Sequence, residues 1–287
     1  VNDIFNRLKR QGLLPRGPNV TILALERAFA MIDIFSETLF PYIAHSEIKL
    51  QSVRKSKLAD FRNLDSYEIL GIVDILVGER EPTALSNGVD SILTNLLTNM
   101  KPKQEFVVDY KSMIRPATNS ELWKYQNWQV NTYSWLRQRD EATSLLPRGA
   151  IIYVNDLVPT LDNLKHIIEE IKNENTDIIP PEGSDEEKLI LNPNTLIKDY
   201  SKKMKEWRVL MAEWMEVYWE EKDWTVPMPR LEPTLPLSDL RRKRAVRIID
   251  TSPIIREGAI DEFDSVASSI ELCIQKELDS DSIDKSW

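Results

Sequence analysis

Two side chains of opposite charge, Asp109 and Lys111, close an apolar run in the segment EFVVDYKSM at residues 105–113. The apolar residues, with Pro116 beyond them, predict a short strand. Because alternate side chains of a strand point to the same face, Asp109 and Lys111 are expected to lie side by side. A carboxylate there can bind a divalent cation, and an ammonium group beside it can stabilise a phosphate or a metal-bound water. The alternative is a surface ion pair on an edge strand.

A third charged residue, Asp74, interrupts the strongest strand pattern of the chain, YEILGIVDILVGE at residues 67–79. The continuous apolar character of this run predicts a strand that is central in a sheet. Burying an unpaired carboxylate in such a strand is costly, so a metal ion or a cation such as Lys111 is expected beside it. The alternative is a buried structural salt bridge.

Two polar residues, Gln129 and Tyr133, stand at positions i and i+4 of the segment ELWKYQNWQVNTYSWL. This segment belongs to a predicted helix over about residues 119–139, which begins after a capping residue, Asn119 or Ser120. Residues at i and i+4 share one helix face, so both side chains are expected to point in the same direction. Ordinary packing is the alternative role for both.

These three elements, in this order, resemble the RecB-type branch of the PD-(D/E)XK nuclease superfamily: a GxxD strand, a VVDYKS strand and a QxxxY helix. The resemblance spans roughly residues 20–160. It implies that Asp74 and Asp109 bind Mg²⁺ or Mn²⁺, together with the backbone carbonyl of Tyr110. It also implies that Lys111 orients or activates the attacking water. It further implies that two helix residues, Gln129 and Tyr133, support the site and contact the substrate.

Two further acidic residues are candidate metal ligands on the same resemblance. Glu47, in HSEIKL, resembles the acidic residue that precedes the GxxD strand, although acids at strand starts are often simply solvated. Many relatives carry a metal-binding histidine on the first helix, and neither His45 nor His166 lies at that place. Glu26, in ALERAFAMI, is the candidate replacement, with a solvated helix face as its alternative role. The single cysteine excludes the four-cysteine iron–sulfur cluster of some relatives.

The wider pattern predicts a central mixed β-sheet flanked by helices, an α/β fold with a long C-terminal helix. The resemblance implies a restriction-endonuclease-like core. In the last predicted helix, aromatic and methionine residues from Tyr200 to Tyr218 recur at helical spacing, which favours a core-facing stripe over a surface for stacking bases. The predicted elements are a helix at 21–41, strands at 45–53, 67–79, 105–113, 149–157 and 188–192, and helices at 119–139 and 194–222.

The chain divides by composition into two parts. Residues 1–225 form the predicted nuclease-like domain, with an insertion at about residues 80–104. Residues 226–287 form a C-terminal segment that is first proline-rich, then basic, then acidic. From residue 257 onward this segment carries nine acidic and two basic side chains, so most of the net charge of −9 lies there.

Basic residues near the predicted site supply candidate contacts to DNA. The basic run RRKRAVR at residues 241–247 is expected to be solvated or paired with the acidic tail, and its alternative role is a phosphate contact. An acidic balance disfavours avid nonspecific binding to nucleic acid, yet it permits a local basic groove. Besides Lys111, Gln129 and Tyr133, the candidate nucleic-acid contacts are Arg54, Lys55, Arg241 and Arg242.

The sequence therefore predicts an enzyme, a metal-dependent deoxyribonuclease whose endo- or exonucleolytic mode stays open. One alternative is a catalytically inactive nuclease fold that binds nucleic acid or protein as a scaffold, and another is an α/β interaction protein in which the DYK triplet is accidental. Since the chain lacks a GxxxxGK[ST] motif, a helicase motor would be a separate protein, as would a partner from a defence system. No apolar run approaches the length of a membrane span. The single cysteine fits a reducing, intracellular setting, cytoplasmic or, in a eukaryote, nuclear, and a nuclease there is expected to serve DNA repair or defence.

Overall fold

The computed structural model of the chain describes residues 22–36, 39–55, 66–78, 104–140, 146–217 and 225–279. Its strands are β1 (Ile43–Lys55), β2 (Ser66–Val77), β3 (Gln104–Lys111), β4 (Leu146–Tyr153) and β5 (Val246–Ile249). Its helices are α1 (Ile22–Phe35), α2 (Glu121–Gln138), α3 (Val154–Leu157), α4 (Leu161–Lys172), α5 (Asp185–Leu191), α6 (Pro193–Met215), α7 (Ser238–Ala245) and α8 (Pro253–Asp279).

The described strands form one mixed sheet in the order β1-β2-β3-β4-β5. Strands β3 and β4 are parallel, and the other neighbouring pairs are antiparallel. Helices cover the sheet, and a long helix ends the described chain, so the predicted fold class is confirmed. Strands β1 and β2 pair from Ile43↔Val77 to Lys55↔Ser66, whereas the β2–β3 register runs only from Ile75↔Val108 to Val77↔Phe106.

Helix α2 lies across one face of the sheet, and its sequence defines both of its ends. The hydroxyl of Ser120 accepts a hydrogen bond from Trp123 N, which satisfies a backbone donor of the first turn. Glu121 in the first turn and Arg137 in the last turn complement the helix dipole. The helix buries Trp135 and Leu136 against the sheet, so its inward face is fixed by packing.

The other face of the sheet carries the larger core. Helices α1, α4 and α6 pack apolar side chains against β3 and β4. The strand residues buried on this face include Phe106, Val108 and Ile152. The aromatic and methionine stripe of α6 belongs to this core, so it faces the protein interior and does not form an exposed stacking surface. The described members of the stripe are Tyr200, Met204, Trp207, Met211 and Trp214.

One predicted strand, at residues 188–192, was wrong, and another, at residues 149–157, was wrong in part. Residues 185–191 form helix α5, because Ser184 accepts a hydrogen bond from Glu187 N and three acidic residues fill the first turn. Residues 154–157, predicted as the end of a strand, form the short helix α3. The predicted insertion, apart from residue 104, and the end of the predicted helix at 218–222 lie outside the described residues.

The C-terminal segment completes the fold. Strand β5 pairs with β4, and helix α8 packs beside α2 on the same face of the sheet, with Ile260 buried among Leu50, Val73 and Trp135. Trp128 of α2 donates a hydrogen bond from Nε1 to Ala259 O over 2.8 Å and stacks on Phe263, with ring centroids 4.9 Å apart. Residues 226–279 and the predicted nuclease-like domain therefore share one sheet and one helix layer. In the described part of the chain, every helix is too short or too polar to cross a membrane.

Candidate functional site

Strands β2 and β3 bring two carboxylates to one place. Their register ends at Ile75↔Val108, and Asp74 and Asp109 follow directly on the two strands. Oδ2 of Asp74 accepts a hydrogen bond from Tyr110 N over 2.8 Å, in place of a further strand-to-strand bond. Asp74 is half-buried, and its negative charge adds to the effect of burial, which is the main cause that raises the pKa of the Asp109 carboxyl. The side chain of Tyr110 packs on the opposite face, against the larger core.

Asp109 and Lys111 share a face, as the alternation of the strand predicts. Nζ of Lys111 lies 2.6 Å from Oδ2 of Asp109, and the Asp109 side chain is 4% exposed. This buried oxygen accepts no hydrogen bond of ordinary geometry from the described residues, so the ion pair is its contact. Burial raises the pKa of Asp109, Lys111 opposes that rise, and Asp74 adds to it. Asp109 is thus a carboxylate that a further cation would stabilise.

Helix α2 contributes two polar side chains, Gln129 and Tyr133, to the site. Lys111 Nζ donates to Oε1 of Gln129 over 2.8 Å, and Gln129 Nε2 donates to the hydroxyl of Tyr133 over 2.8 Å. The two helix residues therefore form a hydrogen-bonded chain that holds the ammonium group next to Asp109. Burial raises the pKa of Tyr133, and the charges of Asp109 and Asp74 raise it further, so the phenol keeps its proton.

Gly71, three residues before Asp74, lets Tyr133 approach β2. A Cβ atom at Gly71 would lie 2.8 Å from Cε1 and 2.9 Å from Cδ1 of Tyr133, closer than side chains pack. Only a glycine leaves room for the ring at this point of the strand. Steric fit therefore explains the glycine of the GxxD pattern. Its missing side chain lets the helix that holds Lys111 pack against β2.

Replacing Gly71 with alanine is expected to lower the free energy of unfolding by about 1–3 kcal/mol, because the added methyl group must displace the Tyr133 ring. Urea unfolding followed by circular dichroism measures the change. Gly258→Ala is the matched control, since nothing lies within 4 Å of a Cβ there. Gly258 lies inside α8, so alanine should stabilise the protein by about 0.5–1 kcal/mol. Equal effects of the two substitutions would contradict the steric role of Gly71.

Of the two other predicted metal ligands, Glu26 lies apart from this cluster, whereas the backbone of Glu47 lies opposite Asp74, because Ser46 pairs with Ile75 and Ile48 with Val73. Glu26 is buried, and its Oε1 accepts a hydrogen bond from Arg208 Nε over 2.6 Å, so it belongs to the contact between α1 and α6. Glu47 is exposed on β1, with a φ of 51°. Among the described residues, no group of three or more histidine, cysteine, aspartate or glutamate side chains converges as metal ligands do. The acidic oxygen donors that the structure brings together at the site are thus the Asp74 and Asp109 carboxylates.

Two of the predicted DNA contacts, Arg54 and Arg241, are engaged with other groups of the protein. Arg54 is 6% exposed and bonds three carboxylates of α8, those of Glu257, Asp261 and Asp264. Arg241 is buried and donates to backbone carbonyls, including that of Pro236 over 2.9 Å. Both guanidinium groups are therefore unavailable to a phosphate in this structure.

The other two candidate contacts differ in exposure. Arg242 is partly exposed, and its Nε donates to Oε2 of the buried Glu232 over 2.7 Å. Lys55, at the end of β1, is exposed. Lys55 is therefore the candidate whose charge is most accessible to a ligand.

A buried network of arginines and acids was not predicted from the sequence. Arg244 of α7 donates from Nε to Oδ1 of Asp156 over 3.0 Å and from Nη2 to Oε2 of Glu170 over 2.7 Å. Oδ2 of Asp156 in turn accepts a hydrogen bond from Arg115 N. Arg115 follows Lys111 by four residues, so the network anchors the chain directly after the site. The spacing of Arg241 and Arg244 at i and i+3 is the signal that could have indicated a buried helix face.

The geometry above rests on side chains from β2, β3 and α2 that meet at one point of the sheet. Its oxygen donors suit a hard divalent cation such as Mg²⁺ or Mn²⁺, and its ammonium group suits a phosphate. Comparison of the chain with family models, with curated proteins and with solved structures gave no significant match to any of them.

Proposed function

We propose that the protein is a metal-dependent nuclease that hydrolyses DNA phosphodiester bonds, related to the RecB-type branch of the PD-(D/E)XK superfamily. The observation that supports it is the meeting of Asp74, Asp109 and Lys111 at the point where β2 and β3 stop pairing. A buried carboxylate oxygen without an ordinary hydrogen bond, beside a second carboxylate, is a fitting place for a cation.

The residues that would hold the metal ion are Asp74 and Asp109, with the backbone carbonyl of Tyr110. When bound, a Mg²⁺ or Mn²⁺ ion supplies charge that stabilises phosphate oxygens and acidifies a coordinated water. Lys111 presents an ammonium group at the same point, held by Asp109 on one side and Gln129 on the other. Its charge orients the attacking water or stabilises the negative charge that develops on the phosphate.

The helix residues act through Lys111. Gln129 accepts one hydrogen bond from Nζ, and Tyr133 fixes the opposite end of the Gln129 amide. This leaves the ammonium group with a defined direction, which is the kind of preorganisation that accelerates a reaction without cost at the moment of bond breaking. Gln129 and Tyr133 are therefore positioning residues in this proposal.

An assay of DNA cleavage tests the proposal directly. The purified full chain is incubated with single-stranded and double-stranded DNA in Mn²⁺, in Mg²⁺ and in EDTA. Cleavage in either metal, and its absence in EDTA, is the expected result. No cleavage under any of these conditions would overturn the nuclease proposal.

Replacing Lys111 with methionine is expected to slow cleavage by about a hundredfold while leaving Mn²⁺ binding in place. The substitution keeps the long side chain and removes only the ammonium group, whereas both carboxylates remain. Initial cleavage rates and a calorimetric Mn²⁺ titration measure the two properties separately. Lys202→Met, at an exposed lysine of α6, controls for loss of a positive charge. If Lys111→Met cut DNA as fast as this control, Lys111 would have no part in the reaction.

The pH dependence of cleavage should report Asp109. Because burial raises the pKa of this carboxyl, a larger fraction is protonated at a given acidic pH than for an exposed aspartate. Cation binding needs the ionised form, so cleavage is expected to fall as the pH drops through this raised pKa. Since metal and proton compete for the same oxygens, more Mn²⁺ should move this fall to lower pH. A fall that stays at the same pH across Mn²⁺ concentrations would contradict the assignment.

A catalytically inactive scaffold that binds nucleic acid or protein is the second candidate. It is favoured by the small number of converging acids, since no three acidic, histidine or cysteine side chains of the described residues meet as metal ligands do, and Glu26 pairs with Arg208. Binding of labelled DNA by the full chain in EDTA, without cleavage in either metal, would support the scaffold. On either function we place the protein inside the cell with DNA as its partner, and a helicase or defence-system component would be a separate chain.

A further inference from the structure

A cleft of about 300 Å³ lies at the start of helix α8. It is formed by the first residues of β4, the end of β5 and the turn that leads into α8. In the parallel register Lys111 pairs with Tyr153 at the end of β4, whereas the cleft lies at Leu146, at its beginning. The two places are thus separated by the length of the strand, about 20 Å. The lining residues used below are Arg148, Asp250, Thr251, Ser252 and Arg256.

Arg256 lines this cleft without an ion pair or a side-chain hydrogen bond to any described residue. Arg256 is 4% exposed, and its Nε is buried without a hydrogen bond to any described residue. The carboxylate next in sequence, Glu257, is engaged elsewhere, by Arg54 at 3.1 Å and by Trp135 Nε1 at 3.0 Å. Burial lowers the pKa of Arg256, and the charge of Glu257 only partly opposes this effect, so a further anion would be favourable. The buried Arg54 and Arg244, by contrast, each bond two or more carboxylates.

The N-terminal start of helix α8 adds a partial positive charge to that of Arg256. Helix α8 has 27 residues, and its first turn contains no acidic residue. The first turn of a helix carries backbone N–H groups without helical partners and a partial positive charge. Arg256, whose N bonds Ser252 O, lies in this turn, where a cation is disfavoured. An anion in the cleft would offset both charges at once.

The neighbouring polar groups are already fixed around the cleft. Thr251 Oγ1 donates to Pro147 O over 3.1 Å, and Ser252 N donates to Oδ1 of Asp250 over 2.9 Å. Asp250 is exposed, so water screens its charge. Arg148, partly exposed at the side of the cleft, adds a second positive charge. The cleft thus combines two guanidinium groups and a helix start around one exposed carboxylate.

We propose that this cleft binds a phosphate group, held by the guanidinium of Arg256 and the first turn of α8, with Arg148 at its side. Guanidinium groups and helix starts are both suited to phosphate oxygens. The volume lies at the lower end of the range for small-molecule sites, so it suits inorganic phosphate or the phosphate of a small monoester such as a nucleotide. The site is separate from the proposed nuclease centre and does not depend on its activity.

Calorimetric titration of the full chain tests this site, in EDTA so that no metal holds phosphate at Asp109. The two probes are inorganic phosphate and adenosine 5′-monophosphate, and the variants are Arg256→Gln and the control Lys202→Gln. We expect the wild type and Lys202→Gln to bind one equivalent of a probe, and Arg256→Gln to bind it about tenfold or more weakly. Tighter binding of the nucleotide identifies a monoester as the ligand, and equal binding identifies the free anion.

A measurement on the unmodified chain guards against a variant that folds poorly. In a phosphate titration followed by amide NMR, the backbone signals of residues 252–256 are expected to shift, and those at Lys111 and Gln129 to stay in place. The proposal is overturned if neither probe binds at millimolar concentration, if Arg256→Gln binds as tightly as Lys202→Gln, or if the shifts occur away from α8. Loss of DNA cleavage in any variant is irrelevant to this outcome, so the two proposals are tested independently.

Discussion

Metal-dependent cleavage of DNA is expected to fall by about a thousandfold or more when Asp109 is replaced by asparagine. The substitution preserves the shape of the side chain and removes its charge. It takes from the metal ion a buried ligand and from Lys111 the partner at 2.6 Å, so two contributions to the reaction are lost together. Initial cleavage rates in Mn²⁺, with circular dichroism to verify folding, measure the effect.

The same variant should lose the stabilisation that a bound metal confers. Mn²⁺ is expected to raise the thermal midpoint of the wild type and to leave that of Asp109→Asn unchanged, because a ligand that binds the folded state stabilises it. Asp162→Asn makes the same chemical change at an exposed residue of α4 that pairs with Lys165. An Asp109→Asn protein that cuts DNA as fast as Asp162→Asn would show that Asp109 is not part of the centre.

Replacing Arg244 with methionine is expected to lower the free energy of unfolding by about 3–5 kcal/mol. Both Arg244 and Asp156 have fully buried side chains, and Glu170 is nearly so. Methionine leaves two carboxylates without their shared cation, and an uncompensated buried charge is far more costly than a lost surface pair. Burial raises the pKa of Asp156 already in the intact protein, against the opposing effect of Arg244. Urea unfolding measures the loss.

Lys243→Met is the matched control for this substitution. Lys243 precedes Arg244 on α7, and its ion pair with Asp239 at 2.6 Å is exposed to solvent. A pair of this kind contributes at most about 1 kcal/mol, so the control should unfold at nearly the wild-type urea concentration. If the two variants had equal stability, the buried network would not be an important source of stability for the fold.

The local geometry of the candidate site followed from simple periodicities. The two-residue repeat of a strand predicts that Asp109 and Lys111 lie together, and the structure places them 2.6 Å apart. The four-residue repeat of a helix predicts that Gln129 and Tyr133 share a face, and a hydrogen bond joins their side chains. Their roles in catalysis stay predictions, because periodicity describes position and not reactivity.

Long-range pairing of charges could not be derived in this way. The basic run at residues 241–247 was interpreted by composition, which favours solvent, yet the alternation of its helix and strand buries Arg241, Arg244 and Arg247. The acidic partners of Arg244 and Arg247 come from α3, α4 and the loop at Asp177, which are distant in the chain, whereas Arg241 pairs at 3.3 Å with Glu232, nine residues before it. Likewise, the carboxylates that bind Arg54 lie more than two hundred residues away. Local sequence carries no signal of such partners.

The order of synthesis gives the contact between Arg54 and α8 a further consequence. Trp135 of α2 and Arg54 of β1 both bond Glu257, so the helix that positions Lys111 is supported by residues made late. A chain still attached to the ribosome at residue 200 already contains Asp74, Asp109 and Lys111, yet lacks α8. On the proposed function, the growing polypeptide carries every chemical group of the nuclease before it carries the support that aligns them, so the ability to cut DNA arises only after α8 has been translated.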